Sequence, residues 1–79
     1  MDQNELDQQV REVVAEHLGI ELDTIDLESQ VEELANSLEL STMVIAMERH
    51  FDVEFDDSAL GRVRILRDVA SLVASAQAG

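Results

Sequence analysis

The chain has 79 residues, 18 of them Asp or Glu against 5 Lys or Arg, giving a formal charge of −13, and it lacks Cys, Pro, Trp and Tyr. Without cysteine there is neither a disulfide framework nor a thiolate metal site. With so few cations the chain cannot displace counterions from phosphates, which excludes ordinary nucleic-acid binding, and the same charge opposes docking on an anionic membrane surface.

The apolar fraction of 46% is patterned, so a folded helical protein is expected despite the self-repulsion. Leu6, Val10, Val13, Val14, His17 and Leu18 fall on one face at about 3.6 residues per turn, predicting an amphipathic first helix. Asn4 is the expected cap, with Asp7 three residues on, and Gly19 the left-handed stop before Ile20. From Ile20 to Asn36 no single period connects Leu22, Ile25, Leu27, Val31 and Leu34. An ordered long acidic loop is expected there, with one helical turn near Thr24–Leu27; loops of this length are commonly functional.

Asn36 and Glu39 form a capping-box pattern that opens a second helix over Ser37 to His50. Leu40, Met43, Val44, Met47 and Phe51 make its stripe, and Leu38 and Ile45 widen it, as in a helix lying between others. The alternating Asp52-Val53-Glu54-Phe55-Asp56-Asp57 has no second strand to pair with and is read as an extended connector dropping Val53 and Phe55 into the core. Asp56 or Asp57 then caps a short turn through Leu60, stopped by Gly61. A final helix over about Ile65 to Gln77 buries Leu66, Val69, Ala70, Val73 and Ala76 but has no good capping residue at its start. The expected fold is all-α: a small antiparallel four-helix bundle of three main helices and a short third one, with a long first loop, forming one domain over residues 1–79.

Catalytic constellations are nearly absent. His17 and His50 each end a different helix, where a histidine commonly meets only the dipole and solvent. Asp52-x-Glu54-x-Asp56 faintly resembles a calcium loop, but Asp57 stands where the glycine belongs and Val63 where the bidentate glutamate belongs, so no metal site is expected. Ser37 stands apart, at the junction of the acidic loop and the capped helix. On position alone it reads either as an ordinary first-turn serine or as a place where an attached phosphate meets unpaired N–H groups and the positive dipole end.

The stretch Asn36-Ser37-Leu38-Glu39-Leu40, followed by Val44-Ile45-Ala46-Met47-Glu48 and Phe51-Asp52-Val53-Glu54-Phe55, resembles the centre of acyl carrier proteins. That family reads Asp-Ser-Leu-(Asp/Glu), an apolar helix, then Phe-(Gly/Asp)-(Val/Ile)-x-Ile. Val10 to Ile20 is similar to its first helix and Ile25 to its loop anchor; the spacing from Ser37 through Asp57, Val63, Leu66 and Asp68 follows the family without a gap. The likeness spans roughly residues 6 to 73.

The resemblance implies a carrier and not an enzyme. It implies that Ser37 receives 4′-phosphopantetheine from coenzyme A through a phosphopantetheinyl transferase, and that acyl groups ride on the arm's thiol as thioesters. It places Asn36, Leu38, Glu39, Met43, Glu48 and Asp57 at positions where partner enzymes dock, and Met43, Met47, Phe55, Leu60 and Val63 where an acyl chain is lined. The expected partners are basic-surfaced acyl-transfer or condensing enzymes of fatty-acid, polyketide or lipid-modification pathways. The expected state is a cytoplasmic monomer with no membrane insertion. Neither a signal peptide nor an Arg-rich transit peptide is read in the acidic opening residues.

Departures from the family pattern point to a specialised member. Leu34-Ala35-Asn36-Ser37 lacks the usual glycine and has Asn36 for Asp, and Thr42 and Arg49 stand where fatty-acid carriers have glutamates. Asp56 replaces a common proline, and the loop is about two residues shorter than the family's. The competing reading is an acidic helical adaptor that keeps the fold without the prosthetic group.

Overall fold

A computed structural model describes residues 2–78. Its helices are α1 (Gln3–Leu18), α2 (Val31–Leu34), α3 (Ser37–Phe51), α4 (Asp57–Leu60) and α5 (Leu66–Ala78), with a 3₁₀ turn at Leu22–Thr24. The second and short third helices expected from sequence are α3 and α4. Among the described residues there is no strand, only one isolated antiparallel bridge between Gln30 and Ile65.

α1 packs against both α3 and α5. Its Leu6, Val10, Val13 and Val14 meet Met43, Met47 and Phe51 of α3 and Leu66, Val69, Ala70 and Val73 of α5 in one buried cluster, closed from the loop by Ile25 and Leu27. Burying such stripes supplies most of the driving force for a short bundle, at about 25 cal/mol per Å² of apolar surface. Val53 and Phe55 are half-buried against that cluster, so the alternating segment is a connector.

Helix ends follow local chemistry with three corrections. The cap of α1 is Asp2, whose carboxylate accepts from Glu5 N at 2.9 Å. Asn4 lies inside the first turn, because nothing in Gln3 or Asn4 stops the helix and an anionic cap also suits the dipole. The loop's helical turn forms at Leu22–Thr24 and not at Thr24–Leu27. Thr24 Oγ1 closes that earlier turn on Glu21 O at 2.7 Å, and Ile25 turns extended to enter the core. A further single helical turn, α2, was absent from the periodicity because four residues are too few to show one. As expected, Gly19 is left-handed at φ 69°, and Asp56 caps α4 by accepting from Ser58 N. Ala76 is only half-buried, outside the core.

The unexpected feature is how the long loop ends. Val31 N donates to Arg64 O at 3.0 Å, Leu66 N to Ser29 O at 3.0 Å and Arg67 N to Leu27 O at 2.7 Å. The loop therefore supplies acceptors to the first-turn N–H groups of α5, which an isolated helix leaves unpaired. Arg11 pins the loop's beginning, with Nε donating to Ile25 O and Nη2 to Leu22 O, both at 3.1 Å. Arg67 holds the middle through Glu28 at 2.7 Å.

The histidines also differ from expectation. His17 Nε2 lies 2.8 Å from Thr42 Oγ1, and His50 Nε2 lies 3.2 Å from Gln9 Oε1. Gln9 and His17 are eight residues apart, as are Thr42 and His50, so the two contacts tie antiparallel α1 and α3 in one register. With Thr42 Oγ1 donating to Glu39 O at 3.0 Å, the ring Nε2–H of His17 is the donor to it.

Candidate functional site

Ser37 is the first residue of α3 and is exposed. The approach is set by two extended residues, Ala35 (φ −155°, ψ 153°), which is buried, and Asn36 (φ −78°, ψ 176°). Asn36 Oδ1 accepts from Glu39 N at 2.8 Å and Glu39 Oε1 accepts from Asn36 N at 3.0 Å, completing the capping box. The box uses the side chains on either side of Ser37 and leaves its hydroxyl free. The N–H groups of Ser37 and Leu38 precede the first intrahelical bond, so they point outward as donors beside that hydroxyl. A phosphodiester on Ser37 fits this place: it is exposed, faces two free donors and sits at the positive end of a four-turn helix.

A groove of about 450 Å³ opens beside α3, walled by α2, α3, α4, the connector and α5. Ser41, one helical turn beyond Ser37, is on its lining. Met43, Phe55, Leu60 and Val63 line it as well, with Val31, Leu40, Val44, Ile45 and Val69 adding apolar wall. Met47 does not line it; with no exposed surface it belongs to the core. Glu32, Glu48 and Asp57 are the carboxylates on the lining, with no cation among them. Among the described residues no three His, Asp or Glu side chains converge as a metal ligand set.

The residues expected to meet partners are not equivalent. Asn36, Leu38 and Glu39 are exposed at the start of α3, and Asp57 is exposed at the start of α4. Met43 is 2% exposed and faces inward, so it is a groove residue with no surface for a partner. A 3.6-residue stripe shows that a side chain is apolar but not which neighbour covers it. Glu48 is half-buried, and its Oε2 accepts from Phe55 N at 2.9 Å, tying the connector to α3 at the groove's edge. That contact, the loop carbonyls at α5 and the Thr42–His17 tie were not read from sequence. Glu48 and Phe55 are seven residues apart across a helix end, a spacing with no periodic signature.

The chain matches the family described as "Phosphopantetheine attachment site" over residues 8–74. It is 36% identical over 70 residues to an acyl carrier protein of Campylobacter lari, spanning 86% of this chain and 91% of that one. An acyl carrier protein of Akkermansia muciniphila is 29% identical over 79 residues, 98% of this chain and 99% of the other. In fold, the crystal structure of an acyl carrier protein from Thermotoga maritima superposes with a TM-score of 0.82 at 24% identity, covering 99% of this chain and 93% of that one. The chain belongs to the acyl carrier protein family, as a carrier and not a catalyst, with 4′-phosphopantetheine as the covalent prosthetic group.

Proposed function

We propose that Ser37 is the attachment residue and that the protein delivers acyl intermediates to the enzymes of a specialised fatty-acid, polyketide or lipid-modification pathway, as a one-domain cytoplasmic monomer. The observation that carries the attachment is the free, exposed Ser37 hydroxyl between the two halves of a closed capping box. Bound there, 4′-phosphopantetheine supplies the thiol that this cysteine-free chain lacks. The Ser37 and Leu38 N–H groups hold the phosphate, and Met43, Phe55, Leu60 and Val63 shelter an acyl chain that turns back into the groove. Residues 1–57, with 17 acids and 2 arginines, carry a net charge of −15; this field steers the chain toward basic enzymes. The specialised role is supported by Thr42 and Arg49, which replace acids in the pattern the chain resembles, and by Asn36 before Ser37.

Intact-mass spectrometry after incubation with coenzyme A and a broad-specificity phosphopantetheinyl transferase tests the reading. One phosphopantetheine is expected on the wild-type chain and none on Ser37→Ala. Asn36→Asp keeps the cap, since Asn and Asp cap equally well, and is expected to raise the modification rate. A chain left unmodified by every transferase, and unmodified in its own cells, overturns the carrier reading in favour of an acidic adaptor.

A further inference from the structure

Building on the carrier reading above, the surface of α3 decides what kind of partner it fits. Each acid of this helix already has one oxygen committed internally: Glu39 accepts from Asn36 N, and Glu48 accepts from Phe55 N. Thr42 Oγ1 is taken up by His17 and by the Glu39 carbonyl. The outward line of the helix is left to other residues. Leu38 is 75% exposed and Ile45 48% exposed, and Ser41 and Arg49 are exposed as well; Ser41 and Ile45 border the groove while keeping this outward surface. Positions 38, 41, 45 and 49 recur every three to four residues and so form one stripe along α3.

Arg49 stands alone in this setting. Of the two arginines in residues 1–57, Arg11 directs its guanidinium to the carbonyls of Leu22 and Ile25. The ion pairs among the described residues all belong to Arg67. Among the described residues, Arg49 is thus the arginine of residues 1–57 left without an ion pair or side-chain hydrogen bond, at the end of a stripe whose other prominent members are apolar.

We propose that Arg49 is the residue by which this α3 selects its partner: the enzyme that docks there, with apolar surface against Leu38 and Ile45, presents a carboxylate to Arg49. The long-range acidic field brings basic-surfaced enzymes near, and the stripe selects among them. An enzyme that presents only cations to α3 meets Arg49 with like charge, whereas one acid placed there gives a complementary contact. Arg49 acts as a specificity-determining residue and Leu38 and Ile45 as the apolar anchors.

The test uses the Ser37→Ala chain, ¹⁵N-labelled, so that binding is read without transfer. The probe is a broad-specificity phosphopantetheinyl transferase, together with variants in which each Arg or Lys around its active site is replaced in turn by Glu. Amide shifts centred on Leu38, Ile45 and Arg49 are expected. At least one Glu-bearing variant is expected to bind this chain about two- to five-fold more tightly than the parent transferase, the range of an exposed ion pair. Arg49→Glu reverses that preference, and Ile45→Ser weakens binding about ten-fold, as for an interface anchor. Shifts that avoid the stripe, an Arg49→Glu chain with unchanged preference across the set, or no binding to any member overturns the proposal. The carrier reading fails separately, when Ser37 of the unmutated chain takes up no phosphopantetheine in the mass assay while the shift map still reports the surface.

Discussion

Glu48 illustrates how one side chain acquires a role that its position in a helix does not announce. From sequence it is an acid at a position where the family resemblance places partner docking; in the fold its carboxylate holds the backbone of Phe55 at 2.9 Å, and both residues line the groove. A hydrogen bond of this kind contributes about 1 kcal/mol net. Glu48→Ala is expected to destabilise the protein by about that amount and to speed hydrogen exchange at the Phe55 amide, read by NMR. Glu48→Gln keeps an acceptor and is expected to retain most of the protection; equal loss in both variants would show that charge, and not the hydrogen bond, holds the connector. Asn36 is the contrasting case. Its partner Glu39 is three residues away, inside one helical turn, so the capping box was legible before any fold was known.

Among the elements, α5 shows why a boundary can be invisible in sequence. No residue before Leu66 offers a cap, yet the helix starts sharply there. Asp68 reaches back, its Oδ2 accepting from Arg64 N at 2.9 Å and Ile65 N at 3.1 Å, and the loop carbonyls of Ser29 and Leu27 receive the next two N–H groups. These backbone donors hold the Asp68 carboxyl below its ordinary pKa, first Arg64 N–H and then Ile65 N–H. A carboxyl whose pKa is depressed on folding adds stability above its unfolded value and loses it as pH falls through the folded one. Asp68→Ala is therefore expected to lower the melting temperature at pH 7, with a loss of about 1 kcal/mol for a helix-start contact. The gap from wild type is expected to close only in the acid range below the usual aspartate titration. A gap independent of pH would mean that packing, not the charged hydrogen bonds, is what the substitution removes. The α1 end behaves oppositely: Gly19 and the Leu6-to-Leu18 stripe act within a few residues of each other and were readable directly.

At the scale of the whole molecule, the −13 charge is polarised. Residues 1–57 carry −15, while residues 58–79, with 1 acid and 3 arginines, carry +2. Arg67 uses part of that basic end to hold Glu28 and Asp7, stitching the last helix to the acidic side. The remaining repulsion is a cost that salt relieves: between 0.1 M and 1 M the screening length falls from about 10 Å to about 3 Å. The melting temperature is expected to rise over that range by about 4–8 °C for each ~1 kcal/mol recovered in a domain of this size. A flat or falling curve, followed by circular dichroism, would place the limiting instability elsewhere.

The sequence by itself determined the order of α1, α3, α4 and α5, the capping box, the place of Ser37 at a helix start and the asymmetry of charge. These rest on periodicity, on pairs three or four residues apart and on the count of charges along the chain, all of which the chain states locally. Only the tertiary structure decided that Met43 offers no surface to a partner, that Met47 belongs to the core and not to the groove lining, that His17 and His50 tie α1 to α3, that Glu48 holds Phe55, and that the long loop caps α5. Those contacts join residues such as Ser29 and Leu66, or His17 and Thr42, that meet only once the apolar stripes of α1, α3 and α5 are buried together. Their partners are chosen by packing, and no local pattern carries that choice.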